Sequence, residues 1–180
     1  TALFATIFVI IWGCKKLDLT IPNTNTPTDP FAATKLAFGS NINFDSLSNY
    51  ANQTKPNYIT LDNTGNNAIT NAKATLGRIL FYDKNLSVNN TISCGSCHKQ
   101  AFAFSDTALV SSGVLGGLTD RHSMRLINAR FANEAKFFWN ERAASLEVQT
   151  TMPIQDHAEM GFSGVQGRPG LDSLLRKLKI

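Results

Sequence analysis

Residues 91–98 read TISCGSCH, and the spacing inside this octapeptide decides how the rest of the chain is read. Cys94 and Cys97 are separated by two residues, and His98 follows directly, giving a C-x-x-C-H pattern. Three chemistries use that set: a redox dithiol, half of a zinc site, and covalent attachment of a c-type haem.

The remaining residues choose between them. A zinc ribbon needs a second ligand pair, yet no cysteine follows Cys97, and beyond His98 only His122 and His157 remain, without ligand-like spacing. A redox dithiol expects a βαβ setting, and no convincing β pattern occurs. Haem attachment uses every residue of the motif. Cys94 and Cys97 form thioethers to the two vinyl groups, and His98, on the following helical turn, reaches the iron as proximal ligand.

Composition agrees with a soluble globular domain of modest core: 180 residues, 43% hydrophobic and 17% charged. The net charge of +4 is mild and its Lys and Arg are scattered, which speaks against a nucleic-acid partner. With two of the three cysteines in the motif, only Cys14 is left and no disulfide framework is possible.

The chain starts at Thr1, so its natural beginning is expected to be missing. Residues 2–13, ALFATIFVIIWG, carry no charge. The run is too short to span a bilayer and fits the apolar region of a secretory signal. It ends at Gly13-Cys14, followed by Lys15 and Lys16. A small residue before a cysteine resembles a bacterial lipoprotein cleavage box, with Cys14 as the lipidated first mature residue. Trp12 is an unusual neighbour for that box, and the alternative is an ordinary signal or anchor in which Cys14 is incidental. Both readings export the chain, to the periplasm or cell envelope of a bacterium.

Three segments follow: a signal or lipoprotein segment at 1–14, a low-complexity tether and loops at 15–67, and a haem domain at 68–180. Residues 18–30, DLTIPNTNTPTDP, hold three of the six prolines and suit an extended, solvated tether. Residues 39–67 are rich in Asn and Ser, and read as loop with one short helix near Phe44–Tyr50. From Thr70, Ala72, Leu76, Ile79 and Leu80 recur at helical spacing, with Thr70 or Asn71 as cap. Residues 105–121 read as a flexible loop around Gly113, Gly116 and Gly117. A further helix is predicted over Ala143–Thr150, stopped near Pro153. Leu171, Leu174, Leu175 and Leu178 form an apolar stripe that runs to the end of the chain with no partner after it, which predicts a chain cut within a longer protein. The expected fold is all-α, a cytochrome c-like haem domain behind a long irregular N-terminal tether.

The segment LGRILFYDKNLSVNNTISCGSCHKQAFAFSD (76–106) and the stretch DRHSMRLINARFANEAKFFWNERAASLEVQTTMPIQDHAEM (120–160) resemble the N-terminal haem domain of bacterial di-haem cytochrome c peroxidases. The ordered pattern is an LGR-x-LF-x-D-x-x-LS lead into SC-x-x-CH, then FFW-x-x-RA-x-x-L-x-x-Q, then P-I ending in Glu-Met, over about residues 70–180. The resemblance implies reduction of hydrogen peroxide to water. Electrons would come from a small periplasmic cytochrome c or similar donor, by way of a second haem in a C-terminal part absent from this chain. Glu159 falls on the acidic residue beside the peroxidatic haem, Gln149 on its glutamine, and Trp139 on the tryptophan between the two haems. Cleaving the O–O bond requires a proton to move between the two oxygens, work for a carboxylate. A hydrogen-bond donor such as Gln149 polarises the bond as charge develops. Arg121 is expected to bind a haem propionate, with Arg142 a second candidate and a surface ion pair the alternative for both. A possible homodimer belongs to the same expectation.

The sequence departs from the family in three places. A histidine that caps the resting iron in many members is replaced by Val114, and none lies between Lys99 and Arg121. That predicts a site open without reductive activation. His122 stands where an asparagine commonly helps bind calcium, which makes calcium doubtful; His122 is also the nearest substitute ligand. Finally, Trp139-Asn140-Glu141-Arg142 lacks the glycine of the family's turn, which must be built without positive-φ freedom. The other readings are a relative of the methylamine-utilisation di-haem enzyme, which oxidises a partner protein, and a mono-haem electron carrier.

Overall fold

The computed structural model describes Asp29 and residues 32–38, 41–65, 67–133 and 136–178. The apolar run and Cys14, and with them the signal and lipidation expectations, lie outside the described residues. The chain divides into two units, Thr1–Asn41 and Ile42–Ile180. The first holds α1 (Ala32–Phe38), where the Ala32 N–H donates to the Asp29 carbonyl (3.0 Å) and Lys35 pairs with Asp29 at 2.9 Å.

The second unit contains α2 (Asn71–Tyr82), α3 (Cys94–Cys97), α4 (Leu146–Gln155) and α5 (Leu171–Lys177), linked by long loops with short 3₁₀ turns. No strand occurs among the described residues; three isolated bridges, Lys99 to Ser105, Ser112 to Leu118 and Phe137 to Ala143, close the loops. The fold is therefore built on helices, as expected. α2 starts where Thr70 accepts from the Lys73 N–H (3.1 Å), a side-chain N-cap. Leu86, Ile154, Met160, Phe162 and Leu174 form the core, with Leu80, Val88, Ile92 and Leu171 packed on it. Burying each such side chain contributes roughly 1.5–3 kcal/mol.

The structure differs from the sequence reading at several points. The compact unit begins at Ile42, so residues 42–67, expected as part of the tether and loops, cluster with the segment that carries the haem motif. Its Asn- and Asp-rich loops are held by specific bonds: Arg130 grips Asp62 with two nitrogens (3.0 and 2.5 Å), and Asn63 bonds the Arg130 and Ala132 carbonyls. Residues 44–46 are bends and 47–50 irregular rather than a helix, because the Asn43 Oδ1 takes the N–H groups of Asp45 and Ser46, a local turn that competes with helix formation. α4 begins at Leu146, not Ala143. Ala143 is fully buried and paired with Phe137, and Ser145 caps the helix instead. Pro153 sits inside its last turn, costing one intrahelical bond without ending the helix. Half of the α5 stripe has a partner within this chain: Leu174 and Leu171 pack on the core, while Leu175 and Leu178 stay exposed, and the Lys177 ammonium bonds the carbonyls of Asn85 and Ser87 and the side chain of Asn90.

Candidate functional site

The C-x-x-C-H segment is positioned by α2. The 3₁₀ turn at 84–86 is capped by Asp83, which accepts from the Asn85 N–H (2.8 Å), and the fully buried Ser87 accepts from the Ile92 N–H (3.1 Å). Ser96 Oγ then accepts from the Ser93 N–H (3.0 Å) at the start of α3. Gly95 is required here: a Cβ would lie 2.7 Å from the Tyr82 ring. Phe81 meets Tyr82 and Phe104 edge-on, at 5.0 and 6.0 Å between centroids.

His98 follows as the C-cap of α3, and its Nδ1 lies 2.9 Å from the Phe104 carbonyl. A carbonyl only accepts, so Nδ1 carries the proton and Nε2 keeps the lone pair that a metal needs. The carbonyl is aimed by two consecutive left-handed residues, Ala103 (φ 57°) and Phe104 (φ 56°). Phe104 N–H donates to the Lys99 carbonyl and Lys99 N–H to the Ser105 carbonyl. Such conformations cost about 1–2 kcal/mol each, so the turn is held by its surroundings.

Cys94 and Cys97 are free and half-buried. Burial pushes both thiols above their ordinary value, with the negative charges of Glu159 and Asp106 adding to the rise at Cys97. A redox dithiol has the opposite property. Among the described residues no three His, Cys, Asp or Glu side chains converge as a zinc cage requires. Two thiols on one turn and an imidazole with Nε2 left to coordinate fit a c-type haem.

A second wall comes from the loop at 112–118. The Ser112 carbonyl lies 4.0 Å from the Cys97 sulfur. The Val114 N–H donates to both the Ala158 and Glu159 carbonyls (3.1 and 3.0 Å), and its side chain is 1% exposed. Gly113 and Gly117 serve close approach rather than flexibility, since a Cβ at either would lie 1.9 or 2.5 Å from the Ala158 carbonyl oxygen. Asp156 grips the other side, accepting from the Ala158 and Glu159 N–H groups at 2.9 and 3.0 Å. The Met160 carbonyl takes the Val88 N–H (3.0 Å). Glu159 is thus clamped on both sides. Burial pushes its carboxyl up to about 7, helped by Asp156 and Asp120 and opposed by Arg142.

The other residues singled out in the sequence are placed as follows. Gln149 lies on the half-buried face of α4 with Leu146 and Met152. Trp139 is 59% exposed, which removes core packing as its role, and its indole N–H donates to the His122 carbonyl (2.9 Å). Arg121 is exposed, and its side chain makes no hydrogen bond or ion pair among the described residues. The Arg142 guanidinium stacks 3.5 Å over Phe138 and bonds Asn140. His122 has both ring nitrogens engaged, by the Ala108 carbonyl (2.8 Å) and Ser105 Oγ (3.1 Å), so it bonds within the loops rather than offering a free nitrogen. The turn expected to lack positive-φ freedom has it nonetheless: Glu141 takes φ 56°, a left-handed conformation that favours glycine. Sequence reasoning missed Asp106. Burial opposes its charge, but Lys99 (2.6 Å), Ser111 (2.6 Å) and two backbone N–H groups hold its carboxyl well below the usual range. Nothing in the FAFSD run signals that convergence.

Fold and site together define a c-type haem-binding domain. The sequence profile of the di-haem cytochrome c peroxidases matches residues 71–179, and the chain belongs to that family. It is 33% identical over 115 residues to methylamine utilization protein MauG of Methylorubrum extorquens, covering 63% of this chain and 30% of that one. It is 34% identical to cytochrome-c peroxidase IdrP1 of Denitromonas iodatirespirans over 61% of this chain and 28% of the relative. A crystal structure of a MauG-like protein associated with microbial copper homeostasis superposes with a TM-score of 0.56 at 37% identity, covering 61% of this chain and 32% of that one. The chain spans about a third of the length of these relatives.

Proposed function

We propose that the complete protein reduces hydrogen peroxide to water at the haem held by Cys94, Cys97 and His98. The reaction consumes one peroxide, two protons and two electrons and yields two waters. When bound, the haem supplies the iron at which peroxide is reduced. The observation that carries this reading is the clamped, half-buried Glu159 beside the Cys97 edge of the motif, in a chain of this family. A carboxyl that titrates near neutrality can both take and return a proton under working conditions. Gln149, on the α4 face leading into this turn, would orient and polarise the peroxide.

No histidine lies between Lys99 and Arg121, and Val114 turns its side chain inward. This loop therefore offers the iron no imidazole, and the site is open to peroxide at rest. Trp139 would carry electrons from a second haem fed by a small cytochrome c or similar donor. Arg121, exposed and without a described partner, would reach a haem propionate. An exported, periplasmic location, lipid-anchored through Cys14, follows from the N-terminal run. The similarity to MauG supports a second reading, in which the same site oxidises a partner protein.

The optical spectrum of the ferric, haem-loaded complete protein, before and after one equivalent of peroxide, tests the proposal. A high-spin spectrum that changes promptly, with turnover lost in Glu159→Gln, is expected. A low-spin spectrum unmoved by peroxide would overturn it.

A further inference from the structure

Trp139 is more than half exposed, a poor setting for a ring that must hold one orientation. Its one described polar contact is the indole N–H on the His122 carbonyl, at 2.9 Å. The backbone at His122 is in turn held by its own ring. Nδ1 donates to the Ala108 carbonyl (2.8 Å), and Nε2 meets Ser105 Oγ (3.1 Å). The Ser105 hydroxyl has one hydrogen facing two acceptors, the His122 Nε2 lone pair (3.1 Å) and the Ser123 carbonyl (2.7 Å), and Ser105 directly follows Phe104, whose carbonyl takes the His98 Nδ1–H at 2.9 Å. The Lys99 N–H on the Ser105 carbonyl (2.8 Å) closes this loop back onto the residue after His98.

We propose that His122 is a positioning residue that ties Trp139 to the loop holding the axial imidazole, so that the orientation of the indole and the hydrogen bond on His98 are set together. The inference rests on the reading of His98 as axial ligand and Trp139 as electron relay, and it adds the group that couples them. The two ring contacts cross-link residues 105, 108 and 122, three loop positions between which the longest regular element is the 3₁₀ turn at Val114–Gly116. An asparagine could reach one of these acceptors but, being shorter and unringed, would not span both.

The test uses the complete haem-loaded protein carrying His122→Ala. Two signals are read: the iron–histidine stretching band of the ferrous form by resonance Raman, and the exchange rate of the Trp139 indole N–H by NMR in the diamagnetic ferrous carbonyl form. A donor–acceptor bond on Nδ1 raises the electron density of an axial imidazole, so a loosened Phe104 carbonyl lowers the band. Loss of one net hydrogen bond should speed indole exchange about fivefold. Both changes together, with haem content retained, are the expected result. Trp139→Phe, which removes the N–H donor and part of the ring but leaves the His122 side-chain contacts, should leave the band in place. An unchanged band and unchanged exchange overturn the proposal, as does a lower melting temperature with an unmoved band, which would mark a merely structural role. If His122→Ala fails to load haem, Ser105→Ala, which deletes the Nε2 contact together with the Ser105 bond to the Ser123 carbonyl, carries the same two readings. Peroxide turnover is measured alongside. A lowered band in a protein without turnover would leave this coupling intact while removing the peroxidase reading.

Discussion

Gly113→Ala should be among the most damaging single-methyl additions in this protein. The new Cβ would lie 1.9 Å from the Ala158 carbonyl oxygen, 2.8 Å from its carbon and 3.0 Å from the Glu159 Cα. All three are backbone atoms, so no side chain can swing away and the loop must retreat by on the order of 1 Å to restore ordinary contact distances. That movement stretches both acceptor contacts of the Val114 N–H past hydrogen-bonding range, and an unsatisfied buried donor costs ~1–3 kcal/mol. It also uncovers Val114, whose burial is worth up to ~2 kcal/mol. The sum is a loss of roughly 1–5 kcal/mol, with Glu159 displaced from the Cys97 edge. Urea unfolding of the haem-loaded protein, with peroxide turnover on the same preparation, measures both consequences. Gly77→Ala is the control. It lies within α2 with nothing within 4 Å of its added Cβ, and should stabilise by ~0.5–1 kcal/mol. A Gly113→Ala protein with wild-type midpoint and turnover would refute the claim that this loop is clamped on residues 158–159.

Glu159→Gln should change how stability varies with pH. The native carboxyl is raised to about 7 from an ordinary 4.5, so the wild type is favoured while the group is protonated, and that advantage is lost as pH climbs from about 4.5 through about 7. Solvent reaches part of the carboxyl, and the penalty at pH 8 is therefore reduced to ~1–2 kcal/mol; the variant should gain that much on the wild type between pH 4.5 and pH 8 in unfolding titrations. Glu141→Gly relieves a left-handed residue (φ 56°) and should stabilise by ~0.5–1 kcal/mol, net of the entropy that glycine adds to the unfolded chain; a lowered melting temperature would contradict it. Replacing both Cys94 and Cys97 by Ala should turn covalent haem into haem extractable by acidified organic solvent, seen as colour leaving the protein fraction.

The haem motif and the helix from Thr70 were legible because their signals are local: a fixed spacing and a 3.6-residue period with a capping side chain. The loops were not. Gly113 and Gly117 read as flexible because a sequence shows the missing side chain but not the carbonyl that fills its place. Asn43, Asp62 and Asn63 read only as loop for the same reason, their partners being either two or three residues away in a turn or in the distant segment 130–132. The half-burial of Glu159 depends on residues 112–117 folding over it, a contact across more than forty positions. The missing glycine at Glu141 was visible in advance but its outcome was not: the turn keeps a left-handed backbone at Glu141 in spite of the side chain, because the surrounding loop rather than the local sequence holds it there.

The raised thiols of Cys94 and Cys97 have a consequence for maturation. Disulfide formation proceeds through a thiolate, and burial keeps that form scarce, so an apoprotein in an oxidising medium is slow to seal the pair into an unproductive cystine. The same protonation slows any other attack by these sulfurs. The pair is thus kinetically preserved as two separate thiols, available for a catalysed ligation but sheltered from air.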